Sequence, residues 1–583
     1  MTTITGFVTN IVINFSSYIS HLPSNEAIIF DIGLILIISA IFAFLARVLR
    51  QPLIPAYVLT GLIIGPLVFG FVTNSDLVYA FSEIGIAFLL FTAGIEISFS
   101  KIKQANIKKI LLIGTLQVLV VFLITLALGK YFDLTTMQAV YLGIILAFSS
   151  TMVDVKLLSD MGELVTMHGR LVLGVLLLQD LFAILAIIFL TSGNIAGMPV
   201  LIALAKLIGI FIFAVILQKI VINPLFRFAA RSVEFLFLSS LAVLFLFVIA
   251  SYLTGISIVI GAFIAGVCIA NSPFKKELES RVSPLRDFFA ILFFVSLGMQ
   301  IVFAGIVSNT WLFVFLIVGA LVIKPIITVI LLRITGYRPK TSFITSISLA
   351  QLSEFSLIIG TIGLGLGILT KEIFSTIILA TIITMSLTTY FILYKNQIYH
   401  VFRIPMKIFK FLPIKENLEY KDEKEKTIVL AGCHRMGSIL VKEFQKVGKK
   451  DELLVIDYNP EIITALINKK ISCIYGDLGS HDILDNLNFN KLKEVISTIP
   501  NIEDNLEILK KIKKRNPLVR VILTAERIDD ALELYKAGAD YVILPKIIAG
   551  EELIGIIHDG KNRLKEVRTE HIKKLRSLHN ILY

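Results

Sequence analysis

The chain has 583 residues, of which 56% are hydrophobic and 17% charged, with a formal net charge of +12. So large an apolar share cannot be buried in a fold that must still offer water a solvated surface, which excludes a wholly secreted or cytosolic protein. Residues 1–400 hold 23 Lys/Arg and 16 Asp/Glu, against 32 and 27 in residues 401–583, so an apolar block precedes an ordinary charged domain and a single-span receptor is excluded too.

In chain order, the first 25 or so residues lack a basic n-region and read as an extracellular amphipathic segment, not a cleaved signal peptide. Thirteen apolar runs then approach the ~20 residues needed to cross ~30 Å of hydrocarbon. They lie near 27–46, 54–73, 80–98, 107–128, 136–157, 168–190, 198–218, 235–253, 255–271, 287–303, 310–332, 342–366 and 373–394. Alternate loops differ sharply in charge. One set carries 18 Lys/Arg, from Arg47 and Arg50 to Arg338 and Lys340, while the other holds Lys130 and Lys371. Basic loops mark the cytoplasmic side, so the N-terminus is expected outside and the charged domain in the cytoplasm. The three cysteines, Cys268, Cys433 and Cys473, are too widely spaced for a disulfide framework or a zinc pattern.

Ionisable groups in hydrocarbon are costly unless they face a cavity or a partner, and each is a functional candidate. Glu83 and Glu96 lie near the ends of the third span and read as interfacial or helix-pairing residues. In the fifth, AFSSTMVD interrupts the apolar run with Ser149, Ser150 and Thr151. These hydroxyls either pair with backbone groups freed where a helix unwinds or bond back to the preceding turn. Asp154 is either a second ligand or a residue near the wetted cytoplasmic end. The sixth span sets Gln179 and Asp180 mid-helix. A carboxylate beside an amide offers oxygen ligands to a hard monovalent cation and can take a proton instead, which is the minimal chemistry of exchange. Lys324, just before Pro325 in the eleventh span, needs an anion. Asp180 is the obvious one, in a pair that either opens on cation binding or is purely structural. Gln351, Ser353 and Glu354 fall within one turn of the twelfth and can face a shared cavity, with Glu354 either on a proton pathway or in a structural pair.

The stretches SEIGIAFLLFTAGIEIS, AFSSTMVDVKLLSD, GRLVLGVLLLQD, GAFIAGVCIANSPFKKELE, PLRDFFAILFFVSLGMQI and AQLSEFSLIIG resemble, in order, the monovalent cation:proton antiporter-2 superfamily, and the Gln-Asp pair its Kef-type potassium efflux systems. The resemblance implies inverted repeats, with a dimerisation domain and a core whose fifth and twelfth spans are broken and cross. It assigns ion and proton binding to Asp180 with Gln179 as its neighbour. Ser149, Ser150 and Thr151 mark one break, Gln351 and Glu354 the other, and Lys324 faces the site. Asp154 departs from the family pattern, where that position is usually apolar.

Beyond a linker with Pro405 and Pro413 (398–426), short β-rich runs alternate with amphipathic segments over 427–546, the pattern of a doubly wound α/β sheet. The first run enters Gly432-Cys433-His434-Arg435-Met436-Gly437, a partial dinucleotide fingerprint with His434 in place of its second glycine. Asp457, 25 residues beyond Gly432, is placed to bond ribose hydroxyls, and Arg435 to approach a phosphate. Gly476 and Asp477 close the third strand. The alternative is a Rossmann fold that binds nothing. The segment is similar to the regulator-of-K⁺-conductance (RCK), or TrkA N-terminal, domain. That implies regulation by an adenine nucleotide or NAD(H) and dimerisation, so a homodimer through both membrane and RCK domains is expected. The basic tail, 547–583, reads as solvated or lying on anionic lipid.

The expected protein is therefore not an enzyme but a K⁺/H⁺ antiporter of a prokaryotic cytoplasmic membrane, working by alternating access in the lipid bilayer. It is expected to need no metal cofactor and no nucleic acid; the bound metal is the transported monovalent cation at Asp180. The alternatives are a Na⁺/H⁺ antiporter of the same fold and a nucleotide-gated K⁺ channel, although no TVGYG-type filter is present.

Overall fold

The computed structural model describes residues 24–72, 75–96, 107–191, 209–230, 232–255, 257–270, 272–302, 309–402, 418–420, 425–476, 478, 491–558, 568 and 572. The N-terminal segment, most of the linker, Asp477 and nearly all of the tail beyond 558 lie outside them. The chain forms two compact units, the first made of Met1–Leu164 and His168–Ile414 and the second of Val165–Met167 and Lys415–Tyr583.

The regular structure of the first unit's described residues is helical, as hydrocarbon requires of a chain that must satisfy its backbone groups within each segment. Among the described residues nine helices are long and apolar enough to cross a membrane, and four shorter ones (Leu53–Ile64, Glu83–Ile95, Ile258–Ala270, Glu354–Gly365) are apolar. Together they overlap the thirteen expected spans; residues 198–208 of the seventh lie outside the described residues. Hydroxyl caps set several starts. Thr135 and Gln138 form a reciprocal capping box before Thr136, Ser232 accepts from Phe235 N, and Thr370 from Ile373 N.

Two spans widen before a proline. Pi turns occupy Gln218–Ile222 ahead of Asn223-Pro224 and Gly319–Ile323 ahead of Lys324-Pro325. A proline inside a helix has no N–H to donate and its ring crowds the carbonyl four residues back, so the local turn expands. The third and ninth spans pack closely through Gly94 and Gly266. A Cβ on Gly266 would lie 2.1 Å from the Phe91 carbonyl oxygen and 2.9 Å from Gly94 Cα, so no larger residue fits without separating the helices.

The fifth and twelfth spans are each broken. The fifth runs Thr136–Ala147, leaves helical geometry at Phe148–Ser150, and resumes as Thr151–Asp160. The twelfth runs Pro339–Ser348, breaks over 349–353, and resumes as Glu354–Gly365. Both breaks lie in the buried interior of the unit, against the largest apolar cluster (Tyr141, Ile145, Phe148, Leu352, Phe355, Ile377).

The second unit is a seven-stranded sheet in the order β1-β4-β3-β2-β5-β6-β7. Its strands are β1 (Glu419–Tyr420), β2 (Ile428–Ala431), β3 (Leu453–Asp457), β4 (Cys473–Tyr475), β5 (Glu494–Ser497), β6 (Arg520–Thr524) and β7 (Tyr541–Ile543). From β2 on all pairs are parallel, while β1 runs antiparallel to β4. The six parallel strands fall on the β-rich runs expected over 427–546. β1 falls in the stretch expected as linker; two residues are too short to show a strand's alternation. Strand order reverses at β2, running outward as β2-β3-β4 on one side and β2-β5-β6-β7 on the other, which places the ligand crevice of a doubly wound sheet at the carboxyl end of β2.

Candidate functional site

At the two breaks helical hydrogen bonding stops, and each freed backbone group needs a substitute. Polar side chains from four other places supply them. Gln179 accepts from Ser149 N through Oε1 at 2.9 Å and donates through Nε2 to Gln117 Oε1 at 2.6 Å. Gln117 donates in turn to the Ala147 carbonyl at 3.2 Å. Ser149 Oγ donates to the Leu349 carbonyl at 2.9 Å, joining one break to the other. Ser356 Oγ donates to the Ile145 carbonyl at 2.7 Å, and Thr388 Oγ1 to the Ala350 carbonyl at 2.6 Å.

Lys324 is fully buried, and its ammonium donates to the carbonyls of Phe148, at 2.9 Å, and Gln351. Phe148 caps the carboxyl end of the first fifth-span half-helix, where partial negative charge collects, and Gln351 lies inside the twelfth-span break. The second halves begin with acids, Asp154 and Glu354, in their first turns, where partial positive charge collects. Gln351 Nε2 donates to Asp154 Oδ1 at 2.8 Å and to the Ser150 carbonyl at 3.2 Å. The ammonium thus sits on two orphaned carbonyls, one from each break, and its hydrogen bonds do not include Asp180.

Asp180 lies beside this cluster. Both of its carboxylate oxygens accept from Thr151 Oγ1, at 3.0 and 2.9 Å. It is half-buried, whereas its neighbour Gln179 is fully buried. The carboxylate can therefore meet an ion while the amide, bonded to Ser149 and Gln117, holds the break. All eight expected membrane-site residues come together here: Ser149, Ser150, Thr151, Gln179, Asp180, Lys324, Gln351 and Glu354. Gln117, Asp154 and Ser356 join them. The sequence signal for Gln117 was a lone amide inside an apolar span.

Near the sixth-span start, Glu163 bonds His168 at 2.9 Å and pairs with Lys395, which follows the thirteenth span. Burial raises the Glu163 carboxyl, but the bond and charge of His168 and the Lys395 ammonium outweigh it and hold it down at about 2. This pair ties together the ends of spans five, six and thirteen.

In the second unit β2 turns at Gly432, whose φ of 82° favours glycine. A Cβ on Gly437 would lie 2.1 Å from the Gly432 carbonyl oxygen, so helix and turn can approach only without it. Asp457 Oδ2 accepts from Cys433 N at 2.6 Å and Oδ1 from Asn459 N at 2.7 Å. Burial raises the Asp457 carboxyl, against these N–H groups and the charge of His434, which lower it. Gly476 N donates to the Asp457 carbonyl at 2.9 Å, so the ends of β2, β3 and β4 meet at one crevice. His434 is exposed at the mouth of the turn, and the helix Arg435–Lys446, which includes Met436, has no side-chain cap at its N-terminus. Burial pushes the Cys433 thiol up to about 12, leaving it protonated and inert at neutral pH. The Arg435 side chain and Asp477 are outside the described residues.

Two family models match: "Sodium/hydrogen exchanger, transmembrane" over residues 33–394 and "TrkA-N domain" over 428–545. The glutathione-regulated potassium-efflux system protein KefC of Salmonella schwarzengrund is 28% identical over 516 residues, covering 87% of this chain and 80% of that protein. The protein of the same description from Escherichia fergusonii is 27% identical over 491 residues, covering 83% and 77%. Among solved structures, a sodium proton antiporter from Methanocaldococcus jannaschii superposes with a TM-score of 0.51 at 17% identity, covering 64% of this chain and 97% of that one, a likeness of fold.

Proposed function

Because the chain belongs to the sodium/hydrogen exchanger family and carries a TrkA-N domain, a transporter and not an enzyme, we propose that it exchanges K⁺ for H⁺ across a cell membrane. The observation that carries this is the half-buried Asp180 carboxylate against Thr151 at the edge of two broken helices. A carboxylate there can hold either a partly dehydrated cation or a proton but not both at full strength, and that competition couples the two fluxes. Gln179 acts by shaping the break, and Lys324 by holding both breaks together through their carbonyls. One exchanging carboxylate gives one cation per proton.

The cycle is alternating access. The core with the crossing breaks moves against the rest of the membrane unit, presenting Asp180 to one side and then the other. Basic loops support an N-terminus outside and a cytoplasmic TrkA-N domain. The crevice at Gly432, Gly437 and Asp457 is the site of an adenine nucleotide or NAD(H), with the ribose hydroxyls on Asp457 and a phosphate at the uncapped helix start. Its role is regulatory, in a homodimer. K⁺ is preferred to Na⁺ because the relatives described as potassium-efflux proteins match across both domains.

The test is proton flux in proteoliposomes under opposed K⁺ and Na⁺ gradients. Dequenching of a pH dye driven by K⁺ and lost in Asp180→Asn supports the reading. Flux driven by Na⁺ alone overturns the potassium assignment, and full activity in Asp180→Asn moves the site elsewhere.

A further inference from the structure

Asp154 sits in the first turn after the fifth-span break and is fully buried. One oxygen, Oδ1, accepts from Gln351 Nε2 at 2.8 Å, while Oδ2 is buried without a hydrogen-bond partner, as is Gln351 Oε1. A carboxylate held dry with half of its hydrogen bonds unmade is a net cost to folding unless a charge compensates it. The nearest compensation is on the other side of Gln351, whose backbone carbonyl receives the Lys324 ammonium. Lys324 has the converse problem: it is fully buried and its two partners in hand are neutral carbonyls.

We propose that Asp154 is the counter-charge of Lys324, coupled to it across Gln351, and that this buried pair spanning both breaks keeps the ammonium from competing with the transported cation for Asp180. Asp154 is then a positioning residue and not a ligand. Two charged groups act on Asp154: Lys324 at the start of the helical segment after the eleventh-span π turn, which attracts, and Glu354 in the twelfth span, which repels. Neutral contacts at the crossing come from Ser150 and Gln351 and from Thr384 and Thr388 of the thirteenth span, and the Asp180 carboxylate sits at its edge on Thr151. Asp154 is likewise the carboxylate whose charge acts on Lys324. The inference rests on the exchange reading for its transport consequence only; the pairing itself is a property of the folded chain.

The experiment is a double-mutant cycle on the purified full-length protein, with Asp154→Asn, Lys324→Gln and both together. Asp154→Asn preserves shape and leaves Lys324 uncompensated, so it should lower Tm and raise the KM for K⁺ about tenfold, as strongly coupled neighbours do. In the Lys324→Gln background the same change should leave Tm nearly unaltered, and Asp154→Glu alone should restore the KM. A fall in Tm that is equal in both backgrounds, or an Asp154→Asn protein with unchanged KM, overturns the pairing. The Tm arm needs no transport and stands if Lys324→Gln is inactive. Absence of K⁺-driven flux in the unaltered protein would defeat the exchange reading and leave the Tm cycle to judge the pair.

Discussion

Gln117 accepts from Gln179 and donates to the Ala147 carbonyl, so a chain of two amides closes the last helical turn before the fifth-span break. Each link replaces a hydrogen bond that a continuous helix would have made within itself. Replacing Gln117 with Leu strands the Gln179 Nε2 donor and the Ala147 carbonyl in a dry interior, at a cost of about 1–3 kcal/mol. Thermal unfolding of the purified full chain measures this, and an unchanged Tm would show that water or a neighbour fills the gap. Residue type alone pointed to Asp180, Gln179, Lys324 and Glu354, because charged and amide groups in apolar runs stand out. It could not assign partners. Lys324 and Gln351 are 27 residues apart and Gln351 and Ser150 are 201 apart, so the choice between Asp154 and Asp180 is made by the crossing of two distant segments.

Among the elements, apolar patterning located spans but not their interruptions. Reading 136–157 and 342–366 as single apolar runs is correct in hydrophobicity, since Phe148, Leu349, Ala350 and Leu352 are as buried as the helices beside them. What ends each half-helix is the supply of outside hydrogen bonds from Gln179, Ser356 and Thr388. Helix contact is likewise a property of pairs. Gly266→Ala would place its Cβ 2.1 Å from the Phe91 carbonyl oxygen, forcing the third and ninth spans apart. A destabilisation of about 1–3 kcal/mol is expected from such overpacking, read as a lower Tm. A protein as stable as the parent would mean that the two helices slide without loss.

For the molecule as a whole, two units divide the exchanger helices from the TrkA-N sheet. The second unit carries the strand order of a doubly wound sheet, with the glycine turn, Asp457 and an uncapped helix start at one crevice. Binding to the native state alone stabilises it by RT ln(1 + L/Kd), where L is the free ligand concentration, and so raises Tm as L exceeds Kd. NADH, NAD⁺, AMP and ATP should therefore be ranked by thermal shift on the full chain, with at least one raising Tm and Gly437→Val removing the effect. If none shifts the transition, the crevice is a structural Rossmann fold and the regulatory reading fails.

Composition and charge order by themselves determined a polytopic membrane block, its thirteen apolar segments and an α/β domain behind it, because burial in hydrocarbon and strand–helix alternation are local, repeating demands on residue type. The six parallel strands were legible for the same reason, whereas β1 was too short to leave a pattern. Only the tertiary structure decided that Gln179 and Gln117 brace one break and that Lys324 donates to a carbonyl of each. Those outcomes depend on which buried donors and acceptors meet, and a buried polar group takes its partner from whatever the fold brings within about 3 Å, however far away in sequence.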